Sequence, residues 1–262
     1  MKDLSFRIGN STTEQISIQS SINQFKIEKY LIDNIEKLKI NNINSKDRYL
    51  IKILNELEKN KKLIFQINKH EEIYCNFVKR DVNKLLSYLN FRYKFKLSGE
   101  EKILFDSPLY LLIEPVSTCN LRCPFCFQTD KSFTKKPYMG IMEMDLFKRI
   151  ADEADRIGIG AITLASRGEP TLHKEYCNMI EYISSKKNIY EIKTNTNGTF
   201  LTEKICHSLL KNNVNQVVIS ADHYLKDDYE RLRLGANYEK IVANVDMLFN
   251  IRKNYYPNSI TE

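Results

Sequence analysis

Apolar positions in the first hundred residues recur mostly at helical spacing. Ile27, Leu31, Ile35 and Leu38 fall on one face of a helix predicted over 27–40, and Leu50, Ile53, Leu54 and Leu57 on one predicted over 47–59. A further helix is predicted over 82–89. The short apolar runs 63–67 and 73–78 predict strands, and the polar first 25 or so residues predict a loosely ordered start. Ser98-Gly-Glu-Glu101 reads as a turn opening a helical turn, and Ser107-Pro108 breaks the pattern.

Beyond Pro108 the rhythm changes. The continuous apolar run 109–113 predicts a strand buried on both faces. A helix over 144–157, a strand over 161–165, a helix over 176–183 and a strand over 190–194 follow. Thr202 is placed to cap a helix reaching Leu210, and 216–220 predicts a fourth strand. The last predicted element is an amphipathic helix over 238–252, with Ile241, Val245, Leu248 and Phe249 on one side. Strands alternating with helices imply an α/β fold with a parallel sheet or barrel. The reading divides the chain into an α+β accessory region, 1–107, and a core, 108–262.

Composition adds limits. The chain has 262 residues, 42% hydrophobic and 28% charged, with no run near the ~20 apolar residues of a membrane span. The start lacks the apolar stretch of a secretory signal, so a cytoplasmic protein is expected. The net charge of +7 is uneven: residues 1–107 carry 20 Lys and Arg against 14 Asp and Glu (+6), and the rest 20 against 19 (+1). The basic excess suits an acidic partner such as a peptide, a nucleotide-sugar or nucleic acid, or is simply a set of solvated lysine faces. A near-neutral core argues against nucleic-acid binding.

Three of six cysteines, Cys119, Cys123 and Cys126, lie within eight residues, directly after the first predicted core strand. Such crowding in a chain without a signal favours metal over disulfide. Thiolates are the usual ligands of iron–sulfur clusters. Three of them hold three irons of a cubane and leave the fourth open. Structural zinc prefers four ligands, and no histidine stands at finger spacing. Cys75, Cys177 and Cys206 are scattered and read as core or free thiols.

The spacing C-x3-C-x2-C with Phe125 before the last cysteine resembles the hallmark of the radical S-adenosylmethionine (radical SAM) superfamily. The resemblance covers about residues 108–255. Ser166-Arg-Gly-Glu-Pro170 resembles the family's segment that meets the methionine amino group, carried here by Gly168 and Glu169. Thr194-Asn-Thr-Asn-Gly198, with Asn195 and Asn197, resembles its turn near the cofactor. Val218-Ile-Ser-Ala-Asp222 resembles the segment whose polar residues, Ser220 and Asp222, reach the ribose or carboxylate. Arg231 or Arg233 follows as a partner for the carboxylate, and Phe125 would pack near the adenine. Each falls at the end of a predicted strand, where barrel active sites are built.

The resemblance implies a partial (βα)6 barrel, a [4Fe–4S] cluster on the three cysteines, and S-adenosylmethionine. It implies reductive cleavage of that cofactor to a 5′-deoxyadenosyl radical, which takes hydrogen from a peptide or small-metabolite substrate. An electron donor such as flavodoxin or ferredoxin is implied too. Other readings of the residues are a non-catalytic iron–sulfur or zinc-binding module and an RNA-modifying radical enzyme. Only about four βα units are expected, with 255–262 arriving where a fifth strand would begin. A C-terminal cysteine-rich stretch, as in the SPASM subgroup, is not expected.

Overall fold

The computed structural model describes residues 13–262, with side chains from Asn23 onward. The loosely ordered start expected from the sequence lies partly outside the described residues; from Thr13 the chain is helical. It divides into two compact units, Met1–Ile103 and Leu104–Glu262.

The first unit is helical throughout its ordered elements: α1 (Thr13–Asp33), α2 (Ile35–Asn41), α3 (Arg48–Asn60), α4 (Lys69–Val78) and α5 (Val82–Glu100). The strands expected at 63–67 and 73–78 do not form. Residues 73–78 belong to α4, whose start is fixed by a reciprocal capping box. The Asn68 side chain accepts from the Glu71 N–H, and the Glu71 carboxylate accepts from the Asn68 N–H. Two otherwise unpaired helix donors are thereby satisfied, and that decides the local conformation. Likewise 98–101 is the end of α5 rather than a new turn. The periodic residues Leu31, Leu38, Ile53 and Leu57 are fully buried, as helical spacing requires.

The second unit alternates β1 (Tyr110–Ile113), α6 (Met144–Ile157), β2 (Ala161–Leu164), α7 (Tyr176–Ser184), β3 (Glu191–Thr196), α8 (Glu203–Lys211) and β4 (Gln216–Ile219), followed by α9 (Lys226–Leu232) and α10 (Tyr238–Tyr255). The strands are parallel in the order β1-β2-β3-β4. Right-handed crossovers between sequential neighbours place every connecting helix on the same face. The other face becomes the inner wall of a partial barrel.

The side chains obey that division. Ile113, Ile162, Leu164 and Ile192 turn outward and pack with Phe147 of α6, Met179 and Ile180 of α7, and Leu209 of α8. Each such fully buried side chain contributes about 1.5–3 kcal/mol. Cys206 is buried in this cluster and Cys177 packs against it; Cys75 is buried in the first unit. Strand β1 departs from the expected two-sided burial. Tyr110 and Leu112 on its inner face are 40% and 54% exposed, because that face opens onto a cavity rather than a core. Helix α10 buries Ile241 and Ile251 while Phe249 is exposed. Beside β4, the Glu262 N–H donates to the Asn215 carbonyl and its carbonyl accepts from the Val217 N–H, the pattern of a parallel ladder. Among the described residues no helix is long and apolar enough to cross a membrane.

Candidate functional site

A cavity of about 780 Å³ opens at the C-terminal ends of the four strands. Cys119, Cys123 and Cys126 line it from the loop after β1, Gly168 and Glu169 from the loop after β2, Asn195 and Asn197 from the end of β3, and Ser220 from the end of β4. Phe125 lines it as well. Four segments spread over a hundred residues thus meet where the sequence motifs placed them.

The cysteine loop is fastened to the β2 loop by groups that carried no sequence signal. Glu114 receives the Arg167 guanidinium through Nη2 at 2.8 Å and Nε at 2.9 Å, the Arg167 N–H at 3.0 Å and the Ser117 hydroxyl at 2.5 Å. Partial burial pushes the Glu114 carboxyl upward, but these donors outweigh it and bring it down to about 2. The Gln128 amide donates to the Ser117 carbonyl at 2.7 Å and the Arg167 carbonyl at 2.8 Å. Gly168 lies so close to the same loop that a Cβ would stand 1.8 Å from the Val116 carbonyl oxygen. Only a residue without a side chain allows this approach of two backbones.

Glu169 is 2% exposed. Its carboxylate accepts from the Thr171 N–H and hydroxyl, the Thr196 hydroxyl and the Asn197 N–H, at 3.2, 2.5, 2.6 and 2.7 Å. All four donors are neutral, and among the described residues no cation pairs with it. It therefore ties β2 to β3 and keeps its negative charge at the cavity wall. The Asn197 amide donates to Asn120 at 2.9 Å and contacts the Cys119 sulfur at 3.8 Å, and Asn120 in turn donates to Thr199. Asn195 Oδ1 is buried without a hydrogen-bond partner. A buried acceptor of that kind costs about 1–3 kcal/mol unless a ligand supplies a donor.

Of the two arginines that follow β4, Arg233 lines the cavity and Arg231 does not. Arg231 lies on the outer face of α9, paired with Asp228 and exposed to solvent. Arg233 caps the helix with non-helical backbone, which swings its side chain inward. It donates to Asp222, contacts the Cys123 sulfur at 3.8 Å and lies 5.3 Å from the Phe125 ring centroid. Asp222 does not line the cavity; it holds Arg233 in place.

Burial pushes the Cys119 thiol up, and the nearby Glu169 charge adds to this; burial also raises Cys123, against the pull of Arg233. Among the described residues no three Cys, His, Asp or Glu side chains converge closely enough for one metal ion. A cubane offers separate iron corners, so its thiolates need not meet at a point. Three thiols on one wall, an unpaired amide oxygen and an uncompensated carboxylate suit a soft-metal cluster beside a ligand that brings its own positive charge.

A GTP 3′,8-cyclase of Desulforamulus reducens is 33% identical over 127 residues, 48% of this chain and 38% of that protein. A tungsten-containing aldehyde ferredoxin oxidoreductase cofactor-modifying protein of Pyrococcus furiosus is 34% identical over 114 residues, 43% of this chain and 30% of that protein. The chain thus spans well under half the length of these relatives. A solved structure described as native anSMEcpe with bound AdoMet and Cp18Cys peptide is 26% identical, with a TM-score of 0.46, covering 56% of this chain and 41% of that one. Residues 113–258, more than half of the chain, match the description Radical SAM superfamily, and the chain belongs to that family, whose cofactors are a [4Fe–4S] cluster and S-adenosylmethionine.

Proposed function

We propose that this chain carries the radical-initiating centre of an enzyme acting on a peptide or small-metabolite substrate. A [4Fe–4S] cluster held by Cys119, Cys123 and Cys126 would supply the electron for reductive cleavage of S-adenosylmethionine. Contacts from Asn197 to Cys119 and from Arg233 to Cys123 favour the thiolate form and tune the centre.

The observation that carries the reading is Glu169, a buried carboxylate satisfied by neutral donors alone on the wall the cysteines share. It receives the ammonium of the methionine moiety, which brings the missing positive charge. Asn195 Oδ1 accepts from the ribose or amino group, Ser220 lines the far side, and Phe125 offers an apolar face to the adenine. Gly168 allows the backbone beside Glu169 to come close. Asp222 acts through Arg233, whose guanidinium is the group placed to meet a carboxylate; Arg231 has no such role.

The test is anaerobic reconstitution with iron and sulfide, reduction, and assay of 5′-deoxyadenosine after addition of S-adenosylmethionine, with Cys123→Ala alongside. Wild type is expected to bind iron and form product, and the variant to lose both. Zinc in place of iron, with no product from wild type, would sink the proposal.

A further inference from the structure

Charge in the cavity is lopsided. Five cationic side chains line it, Arg122, Lys131, Arg167, Lys193 and Arg233, against the single carboxylate of Glu169. Arg167 is paired with Glu114, and Arg233 is held by Asp222 through Nε with Nη1 turned to the Cys123 sulfur. Arg122 spends its guanidinium on the carbonyls of Cys119 and Leu121 at the exposed rim. Lys131 stands in the short turn after the cysteines, and among the described residues its ammonium has no hydrogen-bond or ion-pair partner.

Lys193 is different in kind, because a strand fixes it. In the sheet register it pairs with Thr163 of β2 and Gln216 of β4, and Thr163 pairs with Leu112 of β1. Side chains two apart on a strand share a face, so Lys193 points to the same inner wall as Asn195, one row deeper by about 7 Å. It is half-buried, and among the described residues its ammonium makes no hydrogen bond or ion pair. Holding a charge on a half-buried wall without a partner is unfavourable, and an anionic ligand removes the penalty. The cluster and S-adenosylmethionine do not need it. The proposed site already gives the ammonium Glu169 and the methionine carboxylate Arg233 near the cysteines.

We propose that Lys193 is a specificity-determining residue that binds an anionic group, a phosphate or a carboxylate, of the substrate one strand row beneath the cofactor. This rests on the radical reading for the identity of the ligand as substrate, while the anion site itself stands on the geometry alone. Lys131 at the mouth steers the same charge inward.

The test is calorimetric titration of the full chain, before and after anaerobic reconstitution, with pyrophosphate and separately with glutarate. Wild type, Lys193→Gln and Lys193→Arg are compared. At least one probe is expected to bind wild type, to bind Lys193→Gln about tenfold more weakly, and to recover most of its affinity in Lys193→Arg. Preference for pyrophosphate assigns a phosphate, preference for glutarate a carboxylate. Protection of Lys193 in the wild-type chain from reductive methylation by the bound probe, read by mass spectrometry, supplies the same answer if Lys193→Gln does not fold. Binding of neither probe, equal binding by Lys193→Gln, or unprotected Lys193 overturns the proposal. Probe binding by wild type that forms no 5′-deoxyadenosine keeps the anion site and overturns the radical reading instead.

Discussion

The first unit buries two glutamates, Glu28 and Glu71, and the second buries Glu169. Glu71 and Glu169 are treated in opposite ways, while Glu28, on α1, accepts among the described residues only from Gln24 and the Leu63 N–H. Glu71 in the first unit is wholly buried and meets two cations, Arg92 at 2.7 Å and Lys96 at 3.5 Å, besides capping α4. Its charge is cancelled on the spot. Glu169 in the second unit is 2% exposed and meets only hydroxyls and backbone N–H groups. Its hydrogen bonds are satisfied while its charge is not. The first arrangement holds a fold together. The second leaves a carboxylate on a cavity wall with no cation beside it among the described residues, and that location, more than its neutral donors, sets it apart from Glu28.

The largest expected effect tests the structural member of this pair. Glu71→Ala leaves Arg92 and Lys96 without their buried partner and removes half of the capping box. A loss of about 3 kcal/mol is expected, read as faster hydrogen exchange in α4 and α5 and an earlier denaturation midpoint. The next effect tests the other member. Glu169→Gln keeps the shape and removes the charge, so stability should fall by only about 1 kcal/mol while affinity for S-adenosylmethionine falls about thirtyfold, or about 2 kcal/mol. Equal damage to stability from both variants would erase the distinction between them.

The smallest effect concerns Glu114, which lies between the two cases: it is paired with Arg167 and it braces the site. Its carboxyl is lowered from 4.5 to about 2 in the folded chain, so the native state favours the ionised form. The resulting stabilisation is fully present above pH about 4.5 and is lost as pH falls towards about 2. Solvent screening at the partly exposed guanidinium limits it to about 1 kcal/mol. Glu114→Gln should flatten the acid limb of the stability–pH curve over that window, measured by thermal unfolding between pH 5 and 2. An unchanged acid limb would remove Glu114 from the brace.

The cysteines, Phe125, Glu169 and Asn197 were legible because each belongs to a short motif at a strand end. Glu114, Gln128, Asn120 and Thr199 were not, because their partners are distant in sequence. Glu114 meets Arg167 across 53 residues, and Asn120 meets Thr199 across 79. No local pattern announces such a pair. Arg231 and Arg233 could not be ranked by spacing, since the helix ends between them and only the backbone turn at Arg233 decides which one points inward. In the fold, the α/β alternation was plain from periodicity. In the first unit 63–67 forms neither helix nor strand, and the strand expected at 73–78 failed because an apolar run of six residues fits a buried helix as well as a strand. There the Asn68 and Glu71 pair, three residues apart, was the better signal, and it was present in the sequence. Apolar Tyr110 and Leu112 were read as core because composition does not distinguish a packed interior from the wall of an open cavity.

Gln128 has a consequence for how the centre is loaded. Its one amide grips a carbonyl on each side of the gap, so the loop with the three thiols is anchored just beyond its last cysteine as well as by β1 before its first. A loop closed at both ends confines its sulfurs to a small volume and would raise the effective concentration of the second and third for the remaining corners of a cluster held at one corner by the first. Assembly should then proceed as chelation by a pre-shaped three-armed ligand, with little chain entropy left to lose as each bond forms.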